Sequence, residues 1–305
     1  IDVHHHLVAP RFLPLLRELD TLTPQQVEAM NPARALEAMD EGEVATAVNS
    51  ATTPTSLPDA RRIEFARENN EFFARLAADH EGRFGFFANL PLPHVEASLH
   101  EIAYAFDVLK ADGVHMITSY GGDWLGNRAF APVFDELHRR RAVVYTHPHA
   151  PQCCLRLLGE TNLRDSAIEY GTDTTRAIAN YVFTGTSRRC PDVRMIWSHA
   201  GGTMPFLIYR FLKAAAHPAN RAFAPDGIVA ELKRYYYDTA QASHAVLLTA
   251  LRQVVGLDRA AFGSDYPWGR PAQNVQELEA AGVLSAAERS GIDYANILPL
   301  LPRFG

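Results

Sequence analysis

Eight short apolar runs alternate with longer segments of helical periodicity from one end of the chain to the other, and this alternation limits the fold more than any other feature. The runs cover residues 1–6, 44–51, 83–90, 113–119, 142–147, 193–199, 235–239 and 260–265. Several are β-branched or aromatic without clean alternation, as strands covered on both faces are. Between them, residues 61–79, 95–109, 131–140, 174–183, 205–215 and 245–255 carry apolar side chains at helical spacing. Strand alternating with helix predicts βα units and a parallel sheet. Eight such units closing on themselves make an α/β fold of the (β/α)8, or TIM, barrel type. An open doubly wound sheet is the competitor, but it announces itself with a Gly-rich phosphate turn after its first strand. Here the first strand ends in histidines instead.

The 305 residues are a normal length for one such barrel, so residues 1–305 are read as one domain. Residues 7–43 are expected to cover the barrel mouth before the second strand, and residues 271–305 to close the chain with helices. The formal charge of −6 leaves no basic footprint for nucleic acid. No apolar run approaches the length of a membrane span. The chain opens directly on a strand pattern, so no signal peptide is expected within it. Cys153, Cys154 and Cys190 do not make a disulfide framework, which favours a reduced, cytoplasmic setting. The adjacent pair follows a candidate site segment, yet free cysteines ordinarily act as small packed apolar groups.

The chemistry gathers at strand ends. In Asp2-Val3-His4-His5-His6, residues two apart share a face of a strand, so His4 and His6 point together and His5 points away. Two imidazoles side by side form half of a transition-metal site. The fifth run ends in His147 before a proline that cannot continue a ladder. The sixth ends in His199, followed by Ala-Gly-Gly, which lets backbone or ligand come close. The eighth ends in Asp265. In a barrel of this kind the reactive side chains come from the C-terminal ends of several strands. A histidine-rich surface strand would explain the first segment alone, but not four strand ends in order.

This order of HxH, strand-five His, strand-six His and strand-eight Asp resembles the amidohydrolase superfamily. His199-Ala-Gly-Gly and Gly-Ser-Asp265-Tyr-Pro look like its branch of aminocarboxymuconate-semialdehyde decarboxylase and the non-oxidative aromatic-acid decarboxylases. Asn89-Leu-Pro-Leu-Pro, Leu109-Lys-Ala-Asp-Gly113, Thr118-Ser-Tyr-Gly, Phe130-Ala-Pro-Val-Phe and Asp173-Thr-Thr-Arg look most like the 6-methylsalicylate decarboxylase group. The resemblance implies that His4, His6, His147 and Asp265 hold one divalent ion, Zn2+ or alternatively Mn2+. It implies that His199 acts with Asp265 in the chemistry, and that the chain works as a homodimer or higher homo-oligomer. Many hydrolytic relatives bridge two metals with a carboxylated lysine at the end of strand four. Here that strand reads Gly113-Val-His-Met-Ile-Thr-Ser-Tyr120 and Lys110 stands at the wrong end, so a single ion is expected.

Arg210 stands at the spacing where the aminocarboxymuconate enzyme has an arginine that crosses a dimer interface to the substrate carboxylate. A guanidinium suits bidentate carboxylate binding. Tyr120, Trp124 and Asn127 follow strand four, where an aromatic could stack on a planar substrate. Asp238 ends strand seven and is placed to hydrogen-bond a histidine of the site. His115 reads as a packed histidine early in its strand. His149 departs from the 6-methylsalicylate group, which has a small polar residue there.

The function expected is metal-dependent decarboxylation of a small hydroxylated aromatic, salicylate-like, or related unsaturated carboxylic acid, with Asp265 supplying the proton to the ring carbon. The alternative enzyme is a lactone or ester hydrolase using metal-activated water, with Asp265 as base. A metal-binding scaffold without turnover is a third reading, since fold alone never secures function.

Overall fold

The computed structural model describes residues 1–305 except 20, 55, 156–158 and 160. Eight parallel strands follow one another around the sheet in chain order. They are β1 (Asp2–His5), β2 (Ala47–Asn49), β3 (Phe84–Asn89), β4 (Gly113–Ile117), β5 (Val143–His147), β6 (Arg194–Trp197), β7 (Tyr236–Asp238) and β8 (Ala260–Ala261). Parallel neighbours need crossover connections, and helices such as Arg62–Asp79, Val95–Asp107, Ala131–Arg139 and Glu169–Phe183 supply them. The seam between last and first strands is closed by backbone bonds. The Val3 N–H donates to the Phe262 carbonyl at 3.0 Å, Asp265 N–H to the His4 carbonyl at 2.8 Å, and His6 N–H to the Tyr266 carbonyl at 2.8 Å. The expected (β/α)8 barrel is therefore the architecture present.

The strand pattern has two layers because alternate residues face opposite sides. Val48, Phe87, Val143, Tyr145, Ile196, Tyr236 and Ala261 meet inside the barrel, capped from below by Ile297 and Leu301 of the C-terminal segment. The outward residues pack under the helices. Trp197 of β6 lies edge-on to Tyr181 of Glu169–Phe183, with ring centroids 5.9 Å apart. The register of β1 against β2 shifts between Asp2 and His5. Such a bulge lets neighbouring residues share a face. Val3 joins the inner apolar cluster, and His4 follows it into the interior.

Strands are mostly shorter than the apolar runs, because the ends of those runs leave the ladder to build loops. The 260–265 run keeps only two residues in β8, and the rest turns so that Asp265 sits at φ 60°. One small sheet was not foreseen: Ser119–Tyr120 pairs antiparallel with Asp123–Trp124. Gly121 and Gly122 form its turn, both at positive φ, as a two-residue hairpin of this kind demands. Short helices at Pro10–Phe12, Leu13–Glu18, Pro24–Ala29 and Pro32–Glu41 follow β1, and Leu16 of these with Val8, Leu22 and Met30 of their connections walls the mouth.

Candidate active site

The strand ends converge at that mouth. His4 and His6 leave β1 side by side, with ring centroids 4.8 Å apart. His147 arrives from β5 at 5.1 Å from the His4 ring and 4.8 Å from the His6 ring. Asp265 turns in after β8. One oxygen of its carboxylate lies 3.2 Å from His4 Nε2, 3.5 Å from His6 Nε2 and 4.0 Å from His147 Nε2. Three imidazoles and one carboxylate thus bring four ligand atoms within 4.8 Å of one another.

Hydrogen bonds behind the rings choose their tautomers. His4 Nδ1 meets a carboxylate oxygen of Asp238 at 2.8 Å, and His6 Nδ1 meets the Ser50 carbonyl at 2.9 Å. Both partners only accept, so Nδ1 carries a hydrogen in each ring and Nε2 is the atom turned toward the centre. His4 Nε2 and His6 Nε2 are buried and have no hydrogen-bond partner among the described residues. Buried polar atoms left this way call for a partner of some kind. Two ring nitrogens turned toward one carboxylate oxygen ask for a cation between them, proton or metal, and the N/O donor set fits a single Zn2+ or Mn2+.

The charges agree with that reading. Burial opposes the charged form of His4, but Asp238 and Asp265 on either side outweigh it and hold its pKa up at about 10. Burial also works against the Asp265 carboxylate, yet His4 and His6 hold it ionised, well below the usual carboxylate range. Burial pushes His6, His147 and His199 down, so these three rings are neutral near neutral pH. The site therefore attracts one positive charge at the position that His4 Nε2 faces.

Asp238 is the joint of the site. One oxygen takes His4 Nδ1–H and, at 3.3 Å, the Tyr145 hydroxyl. The other takes the His199 N–H at 2.8 Å and the Ala240 N–H at 3.1 Å. The His199 ring stands 4.9 Å from His4 and 5.6 Å from His147. His199, Ala200, Gln241 and Asp265 all adopt positive φ. Non-glycine residues there cost about 1–3 kcal/mol each and persist only where the surroundings over-determine them. After His199 the chain passes through Gly202, where an added Cβ would stand 2.0 Å from the Gly171 carbonyl oxygen. Only glycine lets this loop lie so close to the start of Glu169–Phe183.

The cluster opens into a cavity of ≈ 970 Å³. Trp268 flanks it beside His6, at 5.4 Å between rings, and Tyr170 beside His147, at 6.0 Å. Gln241 donates from Nε2 to the second Asp265 oxygen at 3.3 Å. Arg164 is the one lysine or arginine among the described residues that line the cavity. None of these four was singled out from the sequence. Trp268 lies three residues beyond Asp265 on a strand-end loop, which is the one signal that could have flagged it.

Tyr120, Trp124, Asn127 and Arg210 are placed elsewhere in this chain, off the cavity lining. The Gly121–Gly122 turn folds Tyr120 back, so that its hydroxyl accepts the Ile117 N–H at 3.0 Å and its ring meets Phe130. Trp124 donates its indole N–H to Asp173 at 2.8 Å. The Asn127 side chain accepts the Ala129 N–H at the start of the next helical turn. Arg210 is exposed on Ile208–Ala216. His149 does line the cavity, with its two ring nitrogens against the Ser119 and Ala150 carbonyls at 2.8 and 2.9 Å. His5 points outward, bonded to Asn49 and stacked on Tyr266, and His115 is buried against Asn89 and Tyr145. Lys110 bonds the Asp107 carbonyl, away from the site. The cysteines are free, Cys153 exposed and Cys154 and Cys190 buried.

The model of the family described as Amidohydrolase matches residues 1–303. A 6-methylsalicylic acid decarboxylase of Penicillium expansum is 34% identical over 319 residues, covering 99% of this chain and 96% of that protein. The decarboxylase yanB of Aspergillus niger is 31% identical over 323 residues, covering 100% of this chain and 88% of its own length. Among solved structures, a dihydroxybenzoic acid decarboxylase of Polaromonas with bound manganese superposes with a TM-score of 0.86 at 20% identity, covering 99% of this chain and 96% of that one. On the family match and the full-length likeness to these relatives, the chain belongs to the amidohydrolase family.

Proposed function

We propose that this protein is a carboxy-lyase that decarboxylates a small hydroxylated aromatic acid without an oxidant, using one divalent ion held by His4, His6, His147 and Asp265. The observation that carries the reading is the two-sided Asp265 carboxylate. One oxygen faces three imidazoles, and the other reaches Gln241 at the wall of a cavity flanked by aromatic rings. Names of the relatives support the reaction class. Zn2+ suits three nitrogens and one oxygen, and manganese in the Polaromonas enzyme makes Mn2+ the alternative. When bound, the ion supplies Lewis acidity toward the anionic oxygens of the substrate.

The side chains supply the proton. A hydroxybenzoate monoanion enters with its ring between Tyr170 and Trp268. Its hydroxyl proton passes to the free oxygen of Asp265, with neutral His199 as partner in the transfer. The phenolate left behind is electron-rich at the carbon bearing the carboxylate. Asp265 returns the proton to that carbon, which loses aromaticity. The carbon–carboxyl bond then breaks, its electron pair restores the ring as a phenolate, and CO2 leaves. Atoms and charge balance, with Asp265 ionised again. Asp238 holds His4 and His199 in place while this happens.

Assembly as a homodimer belongs to the same reading. Phe206, Leu207, Tyr209 and Leu212 are exposed beside Arg210, and an apolar patch of this kind marks an interface. Arg210 would then serve the carboxylate in a neighbouring copy. We read residues 1–305 as one domain, supported by the single eight-stranded barrel, and as working in a reduced, cytoplasmic setting, supported by three free cysteines.

The test is turnover of salicylate and 6-methylsalicylate by metal-loaded protein in D2O. The reading expects CO2 and a phenol with one deuterium at the former carboxyl carbon, and loss of at least ~10³-fold in kcat for Asp265→Asn. No CO2 from any hydroxybenzoate, with solvent oxygen entering a lactone or ester product instead, would overturn it.

A further inference from the structure

The loop after β2 both steadies the metal cluster and lines the cavity. Its Ser50 carbonyl takes the His6 Nδ1–H at 2.9 Å, and further along the same loop Thr53 stands half-buried on the cavity. Asn89, at the end of β3 and 1% exposed, fastens this loop from behind. Its Oδ1 accepts the Ala51 N–H at 3.1 Å and its Nδ2 donates to the Ala51 carbonyl. A backbone donor and a backbone acceptor on one residue fix which end of the amide is which. The Asn89 backbone is pinned in turn by buried Asn70, whose Oδ1 accepts the Asn89 N–H at 2.7 Å and whose Nδ2 donates to the Asn89 carbonyl at 3.0 Å. Asn89 Nδ2 then faces Thr53 Oγ1 at 3.3 Å. An amide nitrogen has hydrogens but no lone pair to offer, so Thr53 accepts there and its own hydrogen points elsewhere. Among the described residues that hydrogen meets no acceptor. Two other hydroxyls on the cavity are set the opposite way. Thr21 donates to the Leu16 carbonyl at 2.8 Å. Thr175 spends its hydrogen on the Gly171 carbonyl at 2.9 Å, so Thr203, 2.9 Å from the Thr175 oxygen, donates to it. Thr21 and Thr203 therefore show the cavity lone pairs, and Thr53 shows it a hydrogen. Thr52, Ser56 and Ser166 also line the cavity, bond to nothing among the described residues, and turn either way.

Resting on the decarboxylase reading, we infer that Thr53 recognises the carboxylate of the substrate, donating its hydroxyl hydrogen to the carboxylate oxygen turned away from the ion. A carboxylate only accepts, through about four lone-pair sites, more than one ion occupies. The substrate hydroxyl carries a hydrogen of its own, so a donor aimed at it would meet a second donor. Asn89 is a positioning residue: its amide decides where the Thr53 hydrogen points without touching the substrate. The carboxylate loses its charge as it leaves as CO2, so this bond is no stronger in the transition state than in the bound acid. It acts on affinity and not on the rate of the bond-breaking step.

The experiment measures binding of salicylate, and of phenol, which lacks the carboxylate, to metal-loaded protein by calorimetry, together with CO2 release from salicylate. It compares the native chain with Thr53→Val, Thr53→Ser and Asn89→Asp. Thr53→Val keeps the shape and removes the hydrogen. It should weaken salicylate binding on the order of tenfold, raise KM alike, and leave phenol binding and kcat within about twofold of native. Thr53→Ser should restore salicylate binding. Asn89→Asp sets an acceptor against Thr53 Oγ1, draws the hydrogen back from the cavity and should reproduce the Thr53→Val pattern; if that variant does not fold, the two Thr53 variants decide alone. Equal weakening of salicylate and phenol by Thr53→Val, or no weakening of either, overturns the inference, and the decarboxylase reading stands where the native chain releases CO2. Selective weakening of salicylate in a protein that releases no CO2 keeps Thr53 as the carboxylate donor and removes the decarboxylase reading. No CO2 and no selectivity overturns both.

Discussion

On the proposed ligand set, binding of a metal ion should release one proton, and the charges around His4 assign it to that ring. Without an ion, His4 is the cationic ring of the cluster, with its pKa held up at about 10 between Asp238 and Asp265. An ion takes the Nε2 lone pair that this proton occupies, so the two compete. His6 and His147 are already neutral and Asp265 is already ionised, so they give up nothing. The sign follows: a raised histidine pKa favours the proton below pH 10, and metal affinity rises as pH climbs toward that value. Between pH 7 and 9 the association constant should rise about tenfold per pH unit, equal to ~1.4 kcal/mol per unit, and level off near the His4 pKa. Calorimetric titration of Mn2+ or Zn2+ into metal-free protein, in two buffers of different ionisation enthalpy, counts the protons directly. A count near one supports the assignment. A count of zero would mean His4 is neutral beforehand, and a count of two or more would mean that His6 or His147 is charged; either refutes the reasoning.

Asp238→Asn leaves one acceptor oxygen where two now take four donors, so whichever way the amide turns, either His4 Nδ1–H and the Tyr145 hydroxyl or the His199 and Ala240 N–H groups lose their partner. That should lower unfolding stability by about 1–3 kcal/mol and move the plateau of the metal–pH curve below pH 10, measured by urea denaturation and by the same titration. Gly202→Ala puts a Cβ 2.0 Å from the Gly171 carbonyl at a φ of +66°, and a loss above ~3 kcal/mol is expected, with an unchanged urea midpoint arguing against this packing. Gln241→Met removes the amide that donates to Asp265 and should lower kcat about fivefold, near 1 kcal/mol, with little change in KM for a hydroxybenzoate.

The barrel and the gathering of His4, His6, His147 and Asp265 at its mouth were legible in the sequence because both obey short-range rules. Parallel strands need crossovers, which makes strand and helix alternate. Period two puts His4 and His6 on one face, and the end of a strand is where His147, His199 and Asp265 stop. Side-chain direction in loops obeys no such rule. Tyr120 and Trp124 follow strand four as expected, but a two-glycine turn folds that loop into a hairpin and spends their polar groups on Ile117 and Asp173. Gln241, Tyr170 and Arg164 reach the cavity from connections whose paths depend on tertiary packing, so nothing local marks them. The wall of residues 7–43 was foreseen as a cover, while its apolar lining emerged only when Val8, Leu16, Leu22 and Met30 came together. Asp238 was anticipated as a histidine partner. Its second bond, to the His199 backbone, depends on the positive φ of His199 and could not be read from residue types.

The most direct measurement is the position and number of ions in crystals grown with Mn2+, read from anomalous scattering. The account predicts one peak per chain, among the Nε2 atoms of His4, His6 and His147 and the Asp265 carboxylate. A chain with no peak there, or with a second peak bridged to the first, would contradict it.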